Sequence, residues 1–220
     1  VRREVVRVVT PGTLTEESLL PARAANRLAA WAETRAGGAL AWADISTGEL
    51  TVAPVARAGL GPLLAQVAPR ELLLRHDAAA DPALLAMAEE AGAVPSPLGA
   101  ASFEPGAAAA RLAALYGVAT LDGFGAFSRV ETAALGAVAD YLDLTQKGRM
   151  PPMRPPRREA PGTTMVIDAA TRRNLELLRT LTGERAGSLV AAVDRTRTAP
   201  GARLLEARLS APLTDRAGIE

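Results

Sequence analysis

MVIDAATRRNLELLRTLTG, residues 165–183, follows the proline-rich run of residues 146–163 and marks where the chain turns from mixed structure to helix. Asp168 is placed to cap a helix, because its carboxylate can accept from the free N–H groups of the first turn. Leu175, Leu178 and Leu181 recur at helical spacing, and Gly183 supplies a left-handed stop. The pattern predicts a helix over 168–182, followed by helices over 188–195 and 200–209, with Pro212 beyond. Arg172, Arg173 and Asn174 fall in the first turns, where a cation gains nothing from the helix dipole. Spacing alone fits an ordinary amphipathic helix; service to a partner is the alternative reading of these three residues.

Immediately upstream, Pro151, Pro152, Pro155, Pro156 and Pro161 are interleaved with Lys147, Arg149, Arg154, Arg157 and Arg158. Such a segment is an extended, semi-rigid strap. It reads as a solvated linker, with Arg149, Arg154, Arg157 and Arg158 as the residues that would face DNA if it binds any. Further back, ALAWADI and ELTVAPV flank Ser46-Thr47-Gly48 and predict a β-hairpin. Helices are expected over 60–67, 83–91, 105–115 and 130–144, the second opened by Asp81-Pro82 and the third stopped by Gly117. Leu135, Val138 and Leu142 share one face of the last. A short strand is expected over 71–74, and a short strand or extended linker over 94–97. Strands mixed with helices of this length predict an α/β layered domain. At the start, Glu4 to Val9 reads as a half-buried strand broken by Thr10-Pro11-Gly12-Thr13. Thr15 is placed to cap a helical turn around Leu19 and Leu20.

Composition narrows the chemistry. Hydrophobic residues make up 49% of 220, enough for a sizeable core, whereas aromatics are only 3% and offer few stacking platforms for bases. A formal net charge of +1 gives no global field for nucleic acid or acidic membranes, so any DNA contact is local. Cysteine is absent, which removes disulfides, thiolate nucleophiles and cysteine-ligated zinc. His76 is the single histidine and has no serine at recognisable spacing; it reads as closing a strand end or facing solvent. No apolar run reaches bilayer length and the first residues lack a signal peptide's apolar core, so a cytoplasmic chain is expected. Both ends read as cut from a longer protein.

No phosphate-cradling loop is present, because the single lysine, Lys147, is followed by Gly148. Asp44 ends one expected strand and Asp77 follows another. Together they could hold Mg²⁺ in the manner of a two-metal RNase H-type nuclease. Asp44 before Ser46 and Gly48 is equally an ordinary hairpin-turn acid.

EVVRVVTPGT at residues 4–13 and IDAATRRNLE at residues 167–176 resemble the MutS family of bacterial DNA mismatch-repair proteins. ADISTGEL at 43–50, DGFG at 122–125 and DRTRTAPGARLLEARLSAPLTD at 194–215 fit the same family in the same order. Arg208-Leu209 departs from the family's usual tryptophan before leucine, and Ala199-Pro200-Gly201 from its common Pro-Met-Gly. The resemblance implies the end of a mismatch-recognition domain over 1–13, a linker over 14–21 and an RNase H-like connector domain over 22–145. A Pro/Arg-rich linker over 146–163 and the first helices of a core (lever) domain over 164–220 would follow. It implies no catalytic, cofactor-binding or metal-binding residue here, with ATP and Mg²⁺ held elsewhere in the longer protein. It also implies a surface for MutL that includes Ala110 and Arg111, mismatched DNA bound through a homodimeric parent, and association with the nucleoid. The connector would couple mismatch sensing to nucleotide state.

Overall fold

The computed structural model describes residues 8–13, 25–147, 150–160 and 162–219. Residues 4–7 of the expected first strand, the turn around Leu19 and Leu20, the 14–21 linker and Arg149 lie outside these. Val8 and Val9 belong to no strand.

Six strands form one sheet: β1 (Arg27–Thr34), β2 (Gly37–Asp44), β3 (Glu49–Val55), β4 (Glu71–Arg75), β5 (Val94–Leu98) and β6 (Arg157–Arg158). Their order across the sheet is β5-β4-β1-β2-β3-β6. β1, β2 and β3 make an antiparallel meander, while β4 joins β1 and β5 joins β4 in parallel. The sheet is therefore mixed, as expected for an RNase H-like domain, and the hairpin around Ser46-Thr47-Gly48 falls where the pattern placed it.

Both faces of the sheet are covered. Leu28, Ala30 and Ala32 of β1, with Ala39, Ala41 and Ala43 of β2, pack toward α3 (Pro105–Tyr116) and α4 (Arg129–Gln146). The alternate set, Ala29, Trp31, Leu40 and Trp42, packs toward α1 (Arg57–Val67) and α2 (Pro82–Glu90). Burial on both faces explains why these strands read as continuous apolar runs, without the alternation of a half-buried strand. It also explains why β1 escapes prediction: RLAAWAET contains one β-branched residue, Thr34, and its alanines carry little strand preference. Leu135, Val138 and Leu142 of α4 are all buried as the spacing requires.

Past the strap the chain is helical but shorter-jointed than expected: α5 (Ala169–Asn174), α6 (Leu189–Val193), α7 (Ala199–Ser210) and α8 (Arg216–Ile219). Asp168 caps α5 by accepting from the Thr171 N–H at 2.8 Å, as read from the sequence. The helix does not continue to Thr182. Glu176 takes φ +46°, and the carbonyls of Glu176 and Leu177 instead accept from Leu189 and Val190 N–H groups, both at 2.9 Å. The reason lies in the stripe. Leu175 and Leu181 are exposed and only Leu177, off the predicted face, is buried. A helix whose apolar face meets no partner is marginal, because packing supplies most helical stability.

Candidate coupling site

Glu71 begins β4 with 1% of its surface exposed. An isolated carboxylate taken out of water loses several kcal/mol of solvation, so it needs full pairing. Oε2 accepts from the Thr10 hydroxyl at 2.6 Å and from the Gly12 N–H at 2.9 Å. Oε1 accepts from the Ser96 and Tyr141 hydroxyls, each at 2.6 Å. One side chain thus joins the turn at residues 10–13, β4, β5 and α4. The turn is closed on itself by Thr13 N–H to the Thr10 carbonyl at 3.1 Å and Thr10 N–H to Thr13 Oγ1 at 3.0 Å. Gly12 is required by proximity: a Cβ there would lie 2.8 Å from Glu71 Cβ and 2.9 Å from Leu28 Cδ1. Burial, with the hydrogen bond to Glu71, pushes the Tyr141 hydroxyl up to about 12, so it stays a donor at neutral pH. Val8 N–H reaches the Thr145 carbonyl near the end of α4 at 2.8 Å.

A second buried carboxylate holds the other connection. Ser128 and Glu131 form a capping box at the start of α4, worth about 1 kcal/mol. Arg158 of the strap grips the same Glu131: Nε donates to Oε1 at 2.6 Å, and Nη2 donates to Oε2 and to the Ala126 carbonyl. The guanidinium also sits 5.7 Å from the centre of the Phe127 ring. Glu131 is 2% exposed and Arg158 is 40% exposed. Burial pushes the Glu131 carboxyl up, but the Arg158 and Ser128 hydrogen bonds outweigh it and hold the group below its usual range.

The strap is therefore not a solvated linker along its length. Arg157–Arg158 pair with β3, and the Arg154 and Glu159 N–H groups reach the Gly48 and Val52 carbonyls at 2.7 and 2.9 Å. Tyr116 donates its hydroxyl to the Arg154 carbonyl at 2.8 Å. Proline-rich sequence is compatible with a sheet edge, where half of the backbone N–H groups have no ladder partner to lose. Of the arginines marked as DNA-facing, Arg154, Arg157 and Arg158 are exposed, Arg154 standing 3.8 Å from Glu49. Arg158 is engaged by Glu131.

On α3, Ala110 is exposed, whereas Arg111 is partly buried and fastens α3 to α4 through Asp140 at 3.0 Å and the Gly136 carbonyl at 3.3 Å. The Ser102 hydroxyl also donates to Asp140.

The nuclease reading of Asp44 and Asp77 fails on register. Asp44 pairs with Arg27 at the start of β1, and β4 runs parallel to β1 with Trp31 beside Leu74. Asp77 lies about seven residue steps further along, roughly 20 Å away at ~3.3 Å per step. Asp44 instead accepts from the Ser46 N–H at 3.0 Å and from its hydroxyl, as a turn acid does. Asp77 pairs with Arg75 at 2.6 Å. Among the described residues no group of three or more carboxylates and histidines could hold a metal ion. His76 is exposed and closes its strand end through its N–H to the Leu98 carbonyl at 3.0 Å.

The Ser128-x-x-Glu131 signature was available in the sequence before α4; the Glu71 cluster was not, since its partners lie 25 to 70 residues away.

A three-layered α/β domain whose buried glutamates brace chain segments, with Asp44 and Asp77 far apart, is consistent with a connector domain. Known proteins agree. The family profile MutS domain II matches residues 26–154 and MutS domain III matches residues 170–220. The chain is 60% identical over 215 residues to the DNA mismatch repair protein MutS of Cereibacter sphaeroides and 61% identical over 215 residues to that of Paracoccus denitrificans. It is 50% identical over 220 residues to that of Caulobacter vibrioides. These alignments cover 98 to 100% of the chain but 24% of each relative, so it spans about a quarter of their length. The chain belongs to the MutS family of DNA mismatch-repair proteins. No helix among the described residues is long and apolar enough to cross a membrane.

Proposed function

We propose that this chain is a non-catalytic connector that couples mismatch recognition to the ATPase state of a longer, homodimeric protein and offers a docking surface for MutL. The observation that carries the coupling is the pair of buried carboxylates, Glu71 and Glu131, each bracing a segment that flanks the sheet domain. A segment fastened by charge-assisted bonds, two at the turn and three at the strap, transmits displacement that a solvated linker would absorb. ATP and Mg²⁺ are bound elsewhere in that longer protein, mismatched duplex is met through it, and the assembly works in the bacterial cytoplasm at the nucleoid. Exposed Arg154 and Arg157 are the strap's candidates for DNA contact, with Arg149.

For MutL, Ala110 is the better probe of the α3 surface, because replacing Arg111 also breaks the Asp140 pair. The coupling is tested by mismatch-stimulated ATP turnover in the full-length protein carrying Arg158→Met. The expected result is a reduced response to a mismatched duplex with mismatch affinity unchanged. A wild-type response would reject the coupling. Ala110→Glu is expected to lower MutL recruitment at unchanged stability, and unaltered recruitment would remove Ala110 from the surface.

A further inference from the structure

We infer that α4 is a relay between the two braces, so that loosening one end of the helix loosens the segment held at the other. α4 is an 18-residue rod, about 27 Å long at ~1.5 Å per residue. Its last turns hold the incoming segment, through the Thr145 carbonyl and through Tyr141 on Glu71. Its first turn holds the outgoing strap through Glu131. Among the described residues three carboxylates are buried, Asp44, Glu71 and Glu131, and the last two both meet this helix or lie on it. The third shapes the β2–β3 turn whose Gly48 carbonyl receives the strap's Arg154 N–H.

The packing between the ends suits transmission along the helix, because a close-packed interior has low compressibility and transmits strain. Ala133, Ala134 and Ala137 lie in the same buried core as the larger Leu135, Val138 and Leu142, so the helix is closely packed along its length. At Gly136 the backbone approaches α3 so closely that a Cβ would lie 2.2 Å from Ala108 Cβ, and Arg111 ties the two helices together. The two helices are therefore tied to move as a unit. Helix shifts of about 1–2 Å are a common form of switching, and such a shift takes a two-pronged guanidinium–carboxylate pair out of alignment. Coupling of this kind is reciprocal: each brace affects the other by the same factor.

The relay rests on the coupling reading for its use, but it is tested apart from it, by amide hydrogen exchange of the 220-residue chain. Tyr141→Phe removes one donor from Glu71, and Arg158→Met removes the strap's grip. Tyr141→Phe is expected to speed exchange at Gly12 and also, at least about 5-fold, at Glu159, some distance away. Arg158→Met is expected to speed Glu159 and also Val8 and Gly12 by a matching factor, while Leu40 and Trp42 in the central strands keep wild-type rates. Purely local acceleration in both variants would overturn the relay while leaving the ATP-turnover test of coupling intact. Should Arg158→Met lose the central-strand protection, Arg158→Lys replaces it, since an ammonium keeps the charge without the two-pronged geometry.

Discussion

Replacing Glu71 with Ala is the sharpest probe of how the incoming segment is held. The substitution strands four donors at once. Three are hydroxyls that can rotate toward water or one another, and Thr10 already lies 2.8 Å from Thr13 Oγ1. Each of these losses costs about 0.5–1.5 kcal/mol. The fourth, the Gly12 N–H, is fixed by the backbone in a buried turn, and leaving it unmet costs about 1–3 kcal/mol. The total is about 2.5–7.5 kcal/mol, at the upper end for a single substitution. Glu71→Gln keeps the shape and one acceptor oxygen and should lose about half as much. Tyr141→Phe, which removes one donor and leaves the carboxylate its other three, should lose about 1 kcal/mol. Urea unfolding of the three variants, monitored by tryptophan fluorescence from Trp31 and Trp42, reads these differences as midpoint shifts at constant slope. A Glu71→Ala loss under 1 kcal/mol, or a Tyr141→Phe loss as large as it, would refute the additive reasoning.

Three further outcomes follow from the same geometry. Glu131 has a lowered folded-state pKa, so its contribution is present above the ordinary carboxylate value and lost as pH falls through the folded value; strap release should therefore begin only in acid below the usual glutamate range, read by the onset of fast exchange at Glu159. Burial raises the Glu159 carboxyl despite the Gln66 hydrogen bond and nearby Arg157 and Arg27, so its ionised form opposes folding at neutral pH; Glu159→Gln should raise the melting temperature at pH 7 and narrow the gap between melting at pH 7 and at pH 4.5. Gly12→Ala should cost about 1–3 kcal/mol by crowding Glu71 and Leu28, measured by urea unfolding.

The sheet domain was legible wherever local chemistry and tertiary packing agree. Asp81-Pro82, Gly117 and the stripe Leu135, Val138, Leu142 each lead to the observed helix within a few residues. β1 was hidden because a strand covered on both faces shows no alternation and this one is built largely of alanine. The stripe Leu175, Leu178, Leu181 misled for the opposite reason: its period is helical, but Leu175 and Leu181 stay exposed and Leu178 is only half-buried. The strap misled because proline and arginine describe a solvated segment equally well as a sheet edge, and only the buried Glu131 decides between them. The two acids singled out for catalysis, Asp44 and Asp77, are separated by strand direction, which spacing in the sequence does not carry. The bracing acids, Glu71 and Glu131, look like ordinary surface glutamates until their donors are assembled from distant elements.

The central claim is that both connections are fastened to the sheet domain and do not hang from it. Amide exchange of the unmodified chain tests this most directly, at Gly12 for the incoming turn and Glu159 for the outgoing strap. The account predicts protection at both amides far above that of an unstructured peptide. Exchange at the free-peptide rate at either position, with the central strands still protected, would contradict it.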